Sequence, residues 1–261
     1  SLLCISSKVL ERIVFNQILQ FVNDKISNHQ FGFMLYRSTL HQLLLFFNSI
    51  FESSRNSSQT DVLYLDFKKA FDSVAHNELL FKLWHIGITG NAWKWLLAYL
   101  TNRSQCVSIN SKTSTALPVI SGVPQGSILG PLLFLIYIND LPEVVLSSKV
   151  LLFADDAKCF KSISNFSDCM CLQDDLKRLA QWSSTWSLPF NDKKCSAISV
   201  HSGHRHPQFS FSYHLNNTQL LRKTAHTDLG VVLTPDLKWR DHYVSIMAKS
   251  YKSLLVRLLP L

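Results

Sequence analysis

Little in this sequence ties it to an oxidising compartment, a zinc-built fold or a bilayer. Its six cysteines (Cys4, Cys106, Cys159, Cys169, Cys171 and Cys195) include no C-x-x-C pair. Without that spacing neither a zinc site nor a disulfide framework is indicated, and the cysteines suit a reducing compartment. No signal-peptide pattern is visible, so an intracellular protein of the cytoplasm or nucleus, not a secreted one, is expected. The longest apolar run, Ile128 to Ile138, is interrupted by Pro131 and is too short to span a bilayer, so no membrane partner is expected. There are no internal repeats and no block of like charge. The net charge of +8 is spread along the chain, as for the wall of a groove that receives a polyanion. His201, His204 and His206 lie close in sequence, but a zinc site needs a fourth ligand in ordered spacing. The segment from Ser202 to Pro207 reads as a polar turn.

What is present is enough for one large core: 261 residues, 47% of them hydrophobic. Within it, two apolar strands end in acid. Val150-Leu151-Leu152-Phe153 runs into Ala154-Asp155-Asp156, and Val62-Leu63-Tyr64-Leu65 runs into Asp66. Adjacent carboxylates repel, and partial burial makes that worse. Hard oxygen ligands that share a site with substrate phosphates are the usual way to hold Mg²⁺. An Asp-Asp pair is also common in solvated hairpin turns, and a strand-end aspartate such as Asp66 also serves as a helix cap. If the two strands lie side by side, Asp66, Asp155 and Asp156 meet at one sheet edge. There they are able to clamp two metals for an in-line phosphoryl displacement.

Between the acidic strands, Ser121-Gly122-Val123-Pro124-Gln125-Gly126-Ser127 is a defined turn whose following helix could present backbone amides to a nucleotide or template. Periodicity places helices over Lys8 to Lys25 (Val9, Ile13, Ile18 and Phe21 on one side), Thr39 to Phe51, Asn77 to His85, Asn91 to Leu100, Ser127 to Leu141, Asp168 to Trp186 and Asp241 to Leu259. Ser53 to Thr60 reads as a Ser-rich loop, and Cys106 to Ile109 with Leu117 to Ile120 as a hairpin. Short strands are expected at Ala197 to Val200, Phe209 to Tyr213 and Leu229 to Leu233. Trp182, Trp186 and Trp239 read as core and not as base-stacking platforms.

These motifs, in this order, resemble the reverse transcriptase of a non-LTR (LINE-like) retrotransposon. Gln30-Phe31-Gly32-Phe33 with Ser38-Thr39 resembles the fingers motif. Asp66-Phe67-Lys68-Lys69-Ala70-Phe71-Asp72 is similar to motif A, Ser121 to Pro131 to motif B, and Phe153 to Asp156 to motif C. Trp186 to Lys194 resembles motif D. Leu229 to Leu233 followed by Leu237-Lys238-Trp239 resembles the primer-grip region. The resemblance implies an α+β right hand with an antiparallel palm sheet backed by helices. Its approximate parts are fingers over 1–60 and 86–118, palm over 61–85 and 119–233, and the start of a thumb over 234–261.

The resemblance also implies roles. Asp66 and Asp155 would be the main metal ligands, with Asp156 beside them, for two Mg²⁺ ions or Mn²⁺ in their place. Phe67 and Phe71 would line the nucleotide site, and Phe71 would act as a steric gate against a 2′-hydroxyl. Phe71 also reads as an ordinary core aromatic. Gln125 and Gly126 would line the path of template and incoming nucleotide. Lys194 would lie near the triphosphate, a position that a solvated surface lysine would fill equally well. The implied partners are an RNA template, a DNA primer and deoxynucleoside triphosphates. Three features depart from the family pattern. Met34 stands where the fingers motif usually has an arginine, leaving Arg37 as the nearest cation to bind the substrate. Cys195 stands where a threonine is usual, and the chain opens on Ser1-Leu2-Leu3 with no preceding Arg-Pro-Ile. A fragment shortened at both ends is therefore expected. Two other functions fit the same residues. One is a decayed or domesticated fragment that binds nucleic acid without catalysis. The other is an RNA-directed RNA polymerase, against which Phe71 and Ala154 both argue.

Overall fold

The computed structural model describes residues 4–56, 59–201 and 207–258. Among these residues the elements run α1 (Ile5–Val22), α2 (Thr39–Asn56), β1 (Gln59–Leu65), α3 (His76–His85), α4 (Gly90–Leu100), then the short strands β2 (Ser104–Gln105), β3 (Ser108–Ile109), β4 (Lys112–Thr113) and β5 (Leu117–Pro118). They continue with α5 (Leu129–Ile138), β6 (Lys149–Phe153), β7 (Asp156–Ile163), α6 (Phe166–Thr185) and β8 (Ser196–His201). The last are β9 (His214–Leu215), β10 (Thr218–Gln219), β11 (Leu221–Arg222), β12 (His226–Asp228), β13 (Val231–Leu233) and α7 (Arg240–Leu258).

The central sheet has the order β11-β8-β1-β7-β6. β1 is flanked on both sides and buried throughout, which is why it reads as a continuous apolar run. Its pairings with β7 and β8, and that of β6 with β7, are antiparallel. The edge strand β11 is parallel to β8, so the expected all-antiparallel sheet carries one parallel edge. Alternation along the strands divides the core. Leu63, Leu65, Ala157, Cys159 and Ala197 face one layer with α3, α5 and α6. Val62, Tyr64, Phe160, Ile198 and Val200 face the other, where Phe46 and Ile50 of α2 and Leu233 of β13 cover them.

α5 is apolar all round and buried along its length, as a helix in the centre of a core must be. Pro131 falls in its first turn, where no intrahelical donor is lost. The helix is shorter than the expected Ser127 to Leu141. A 3₁₀ turn over Leu141–Val144 follows it.

Several expectations need correction. In α1 the buried residues are Glu11, Ile18, Leu19 and Val22, while Val9 and Ile13 are 57% and 58% exposed. The helix is seated by the Glu11 carboxylate, which accepts from Ile128 N–H at 2.7 Å and from Tyr99 Oη at 2.9 Å. That anchor outweighs the apolar stripe. No strand forms over Phe209 to Tyr213, because side chains take the backbone groups. Phe209 N–H donates to Gln59 Oε1, and Arg222 donates to Phe211 O. Leu229 and Gly230 both have positive φ (+46° and +89°) and form the turn of the β12–β13 hairpin, so the expected strand begins only at Val231. The hairpin after α4 is two stacked pairs, β2 with β5 and β3 with β4. α2 and β1 take up most of the expected loop at Ser53 to Thr60. Trp182 is buried and Trp186 half-buried, but Trp239 is 45% exposed and leans on Phe47. His204 and His206 lie outside the described residues. Among the described residues no helix is long and apolar enough to cross a membrane.

Candidate active site

Register brings the acidic strand ends together. Leu65 of β1 pairs with Ala157 of β7, so Asp66, the next residue, comes level with Asp156. Phe153 pairs with Asp156 across a two-residue turn, Ala154-Asp155. Only Ala154 of that turn has positive φ (+53°), the signature of a type II′ hairpin. Antiparallel partners share a face, so Asp66 and Asp156 lie on the side of Tyr64 and Lys158.

The electrostatics follow from this placement. Burial raises the Asp155 carboxyl above its ordinary value, and the Asp66 charge adds to the effect. Burial also raises Asp156, with further contributions from Asp155, Asp228 and Asp66. One oxygen of Asp66, Oδ2, is buried without a hydrogen-bond partner. Lys194 Nζ stands 3.4 Å from it on a largely exposed side chain. Carboxylates are the hard-oxygen ligands that a divalent cation takes, and among the described residues the Asp66 oxygen is held only by the Lys194 ammonium. The three are electrostatic neighbours without a preformed cage: among the described residues, no three His, Cys, Asp or Glu side chains are drawn into a coordination sphere.

Asp66 is fixed from behind. Asn191 N–H donates to Asp66 O at 2.7 Å, and Lys68 N–H to Pro189 O at 2.8 Å. Asp66 N–H donates to the buried Cys195 Sγ at 3.4 Å. Phe67 is 4% exposed and its ring stacks on Phe190 at 4.4 Å between centroids. Its side chain is therefore packed in the core directly behind Asp66. Arg37 is also committed elsewhere. Its guanidinium donates to Gln30 O at 2.6 Å, Ser27 O at 2.8 Å and Asn28 Oδ1 at 3.0 Å, which holds its own loop closed. Met34 is buried in the core.

The turn at Ser121 to Gly126 is stapled to the segment after Asp66. Gly122 N–H donates to Val74 O, and Val123 N–H to Phe71 O. Gln125 Nε2 reaches Asp72 Oδ1 at 2.7 Å. Gly122 has φ +87°, and a Cβ there would lie 2.9 Å from the Asp72 backbone, so a side chain would push the two segments apart. Phe71 is half-buried. One face of its ring stacks on Phe134 of α5 at 4.6 Å, and Phe33 meets it edge-on at 6.4 Å.

Beside the acidic residues opens a cleft of about 410 Å³ between the sheet, α2 and the β12–β13 hairpin. Asp66, Asp156, Lys193, Lys194 and Lys223 line it, along with residues the sequence did not single out. Tyr64 stacks on His226 with centroids 3.6 Å apart and donates to Asp228 Oδ2 at 3.2 Å. Lys158 forms a buried ion pair with the same carboxylate. Gln42 is fully buried and its amide has no partner. The available signal was Lys158 itself, a lysine two residues past Asp156 and therefore on the same face of the strand.

Comparison with known proteins gives this geometry its family. The family model described as reverse transcriptase (RNA-dependent DNA polymerase) matches residues 1–232. The chain is 30% identical over 269 residues to the RNA-directed DNA polymerase from mobile element jockey of Drosophila melanogaster, covering 99% of this chain and 29% of that protein. It is 30% identical over 256 residues to the probable RNA-directed DNA polymerase from transposon X-element of the same organism, covering 95% and 28%. The chain thus spans under a third of the length of these relatives. Among solved structures, apo telomerase from Candida tropicalis superposes with a TM-score of 0.59 at 12% identity, over 90% of this chain and 41% of that one. The same telomerase with a fragment of telomeric RNA gives 0.58 at 13% identity, over 90% and 38%. The fold is that of a right-hand polymerase, and the chain belongs to the reverse transcriptase family, with non-LTR retrotransposon polymerases among its relatives.

Proposed function

We propose that this chain carries the polymerase site of an RNA-directed DNA polymerase, which extends a DNA primer on an RNA template. The observation that carries the reading is the register that sets Asp66 level with Asp156 and next to the Asp155 turn. In the reaction, the primer 3′-hydroxyl gives up its proton to solvent as its oxygen forms a bond to the α-phosphorus of a deoxynucleoside triphosphate. The bond from that phosphorus to the pyrophosphate oxygen breaks, in line. Positioning and charge neutralisation dominate such transfers.

Asp66, Asp155 and Asp156 would hold divalent metal, Mg²⁺ or Mn²⁺. When bound, such a metal pair supplies charge stabilisation to the attacking and leaving oxygens. The chain's own residues do the rest. Lys194, exposed and beside Asp66, offers its ammonium to the triphosphate and a proton to the departing pyrophosphate. Phe71, half-buried with one face of its ring held by Phe134, excludes a 2′-hydroxyl by volume. Gln125, braced by Asp72, and Gly126 form the wall along which template and nucleotide are aligned.

Primer extension on an RNA template, with deoxynucleotides and ribonucleotides compared, tests the proposal. Deoxynucleotide incorporation dependent on Mg²⁺ or Mn²⁺ is expected. A folded chain that binds the template–primer and extends it with neither metal would replace this reading with that of a nucleic-acid-binding fragment. Equal use of both sugars would point to an RNA polymerase.

A further inference from the structure

The turn that joins β6 to β7 is ill suited to hold itself in place. Ala154 sits at φ +53°, a left-handed conformation that costs an alanine energy. The next residue, Asp155, is partly buried and repelled by Asp66. A distant segment clasps this turn. Phe31 N–H donates to Leu152 O at 2.8 Å and Leu152 N–H donates to His29 O at 2.8 Å, so the segment lies parallel beside β6 at Gln30 and Leu152. The Gln30 side chain, 1% exposed, then reaches under the turn. Its Oε1 accepts from Ala154 N–H at 2.8 Å and from Gly32 N–H at 2.8 Å, and its Nε2 donates to Ala154 O at 3.3 Å.

Gly32 supports the same arrangement independently. A Cβ at Gly32 would lie 2.3 Å from Ala154 N, so the two backbones are in direct contact and no side chain fits between them. Arg37 completes the clasp from outside by donating to Gln30 O.

We propose that Gln30 is a positioning residue for the acidic site. It touches no reacting group. Its amide oxygen pins the backbone of Ala154, and this fixes the direction in which Asp155 and Asp156 leave the turn. The two N–H groups it accepts would otherwise be buried and unpaired, and a turn free to relax from positive φ would carry the carboxylates away from Asp66. This inference rests on reading Asp66, Asp155 and Asp156 as metal ligands.

The test measures metal binding apart from catalysis. Mn²⁺ is titrated into the protein alone and followed by electron paramagnetic resonance. Single-nucleotide extension is then measured against Mg²⁺ concentration, and template–primer affinity by fluorescence anisotropy without metal. Gln30→Met keeps length and burial but accepts no hydrogen bond. It should weaken Mn²⁺ binding by about tenfold or more, as loss of an orienting partner behind a metal ligand typically does. The Mg²⁺ midpoint for extension should rise in parallel, with template–primer affinity unchanged. Gln30→Glu keeps the acceptor oxygens and should restore Mn²⁺ binding. A folded Gln30→Met with wild-type Mn²⁺ affinity and Mg²⁺ midpoint would overturn the inference. If Gln30→Met does not fold, Gln30→Asn decides: it is polar but too short to reach both N–H groups, and wild-type Mn²⁺ affinity in that variant would overturn the inference too. A wild-type chain that neither binds Mn²⁺ nor extends a primer would instead refute the proposed site itself.

Discussion

Asp155 carries a charge that burial and Asp66 both oppose, and this sets opposite expectations for activity and stability. Asp155→Asn should abolish metal-dependent extension, because an amide does not offset phosphate charge as a carboxylate does. In metal-free protein near neutral pH it should melt no lower than wild type, since the change relieves repulsion. A clearly less stable mutant would show that the pair is structural. His226 gives a second expectation with a worked sign. Burial lowers its imidazole from 6.5 to about 4, so between those values the unfolded chain holds a proton the folded chain refuses. Stability should therefore be full above pH 6.5 and fall as pH drops toward 4. His226→Phe, which keeps a ring on Tyr64, should flatten that slope relative to wild type in denaturant melts taken across the range. Phe71 is half-buried, with one face of its ring stacked on Phe134, and its proposed part in sugar selection is open to direct test. Phe71→Val should relax discrimination against ribonucleotides, as the ratio of incorporation efficiencies would show. An unchanged ratio in a folded, active mutant would reduce Phe71 to core. The aspartates were legible because charge at the end of an apolar strand is costly and so marks itself. Gln30 was legible only as part of a motif, because a buried amide declares its role only when its partners are in place.

At the scale of elements, long periodic helices and the central strands were readable, while connections decided by single polar side chains were not. α1 shows why. Its apolar positions gave a stripe, yet the residue that seats it is Glu11, which accepts from Ile128 N–H at the entrance to α5 and from Tyr99. Periodicity counts apolar residues and does not see a buried carboxylate. Ser127 adds a local cap by accepting from Gly130 N–H at 2.8 Å. Glu11→Ala would leave the Ile128 N–H and the Tyr99 hydroxyl without their acceptor at a charged hydrogen-bonding site. It should cost about 3 kcal/mol in urea unfolding, given the penalty for orphaned buried donors. Val9→Ala on the same helix, at a position 57% exposed, should change stability by under about 0.5 kcal/mol. Equal losses from the two would mean that the helix docks through its apolar stripe after all. The strand expected at Phe209 to Tyr213 failed for the same reason as the α1 stripe: Gln59 of β1 and Arg222 of β11 claim its backbone groups, and pairing within the central sheet sets the positions of both.

At the scale of the molecule, the right hand was readable from the order of its motifs, but the cleft beside the acidic site was not. Its walls come from α2, β1, β7 and the β12–β13 hairpin, which only the folded sheet brings together, and no local pattern links Gln42, Tyr64, Lys158 and Asp228. The net charge of +8 was read as the wall of a polyanion groove, and the structure locates part of it: Lys193, Lys194 and Lys223 sit on the cleft. This placement gives the last expectation. A polyanion held by lysines releases counterions on binding, so the logarithm of affinity falls linearly with the logarithm of salt, with a slope set by the number of phosphates neutralised. If the three cleft lysines face the backbone of a template–primer, changing all three to glutamine should lower the magnitude of that slope by up to about 1 per lysine engaged. Affinity at low salt should fall with it. Lys177, on α6 and paired with Asp174 at 2.8 Å, serves as the control, and Lys177→Gln should leave the slope unchanged. The measurement is a set of anisotropy titrations across salt concentrations on one RNA–DNA hybrid. A triple mutant with the wild-type slope would show that the duplex does not pass over this cleft, and the polyanion path would have to be sought along another face of the sheet.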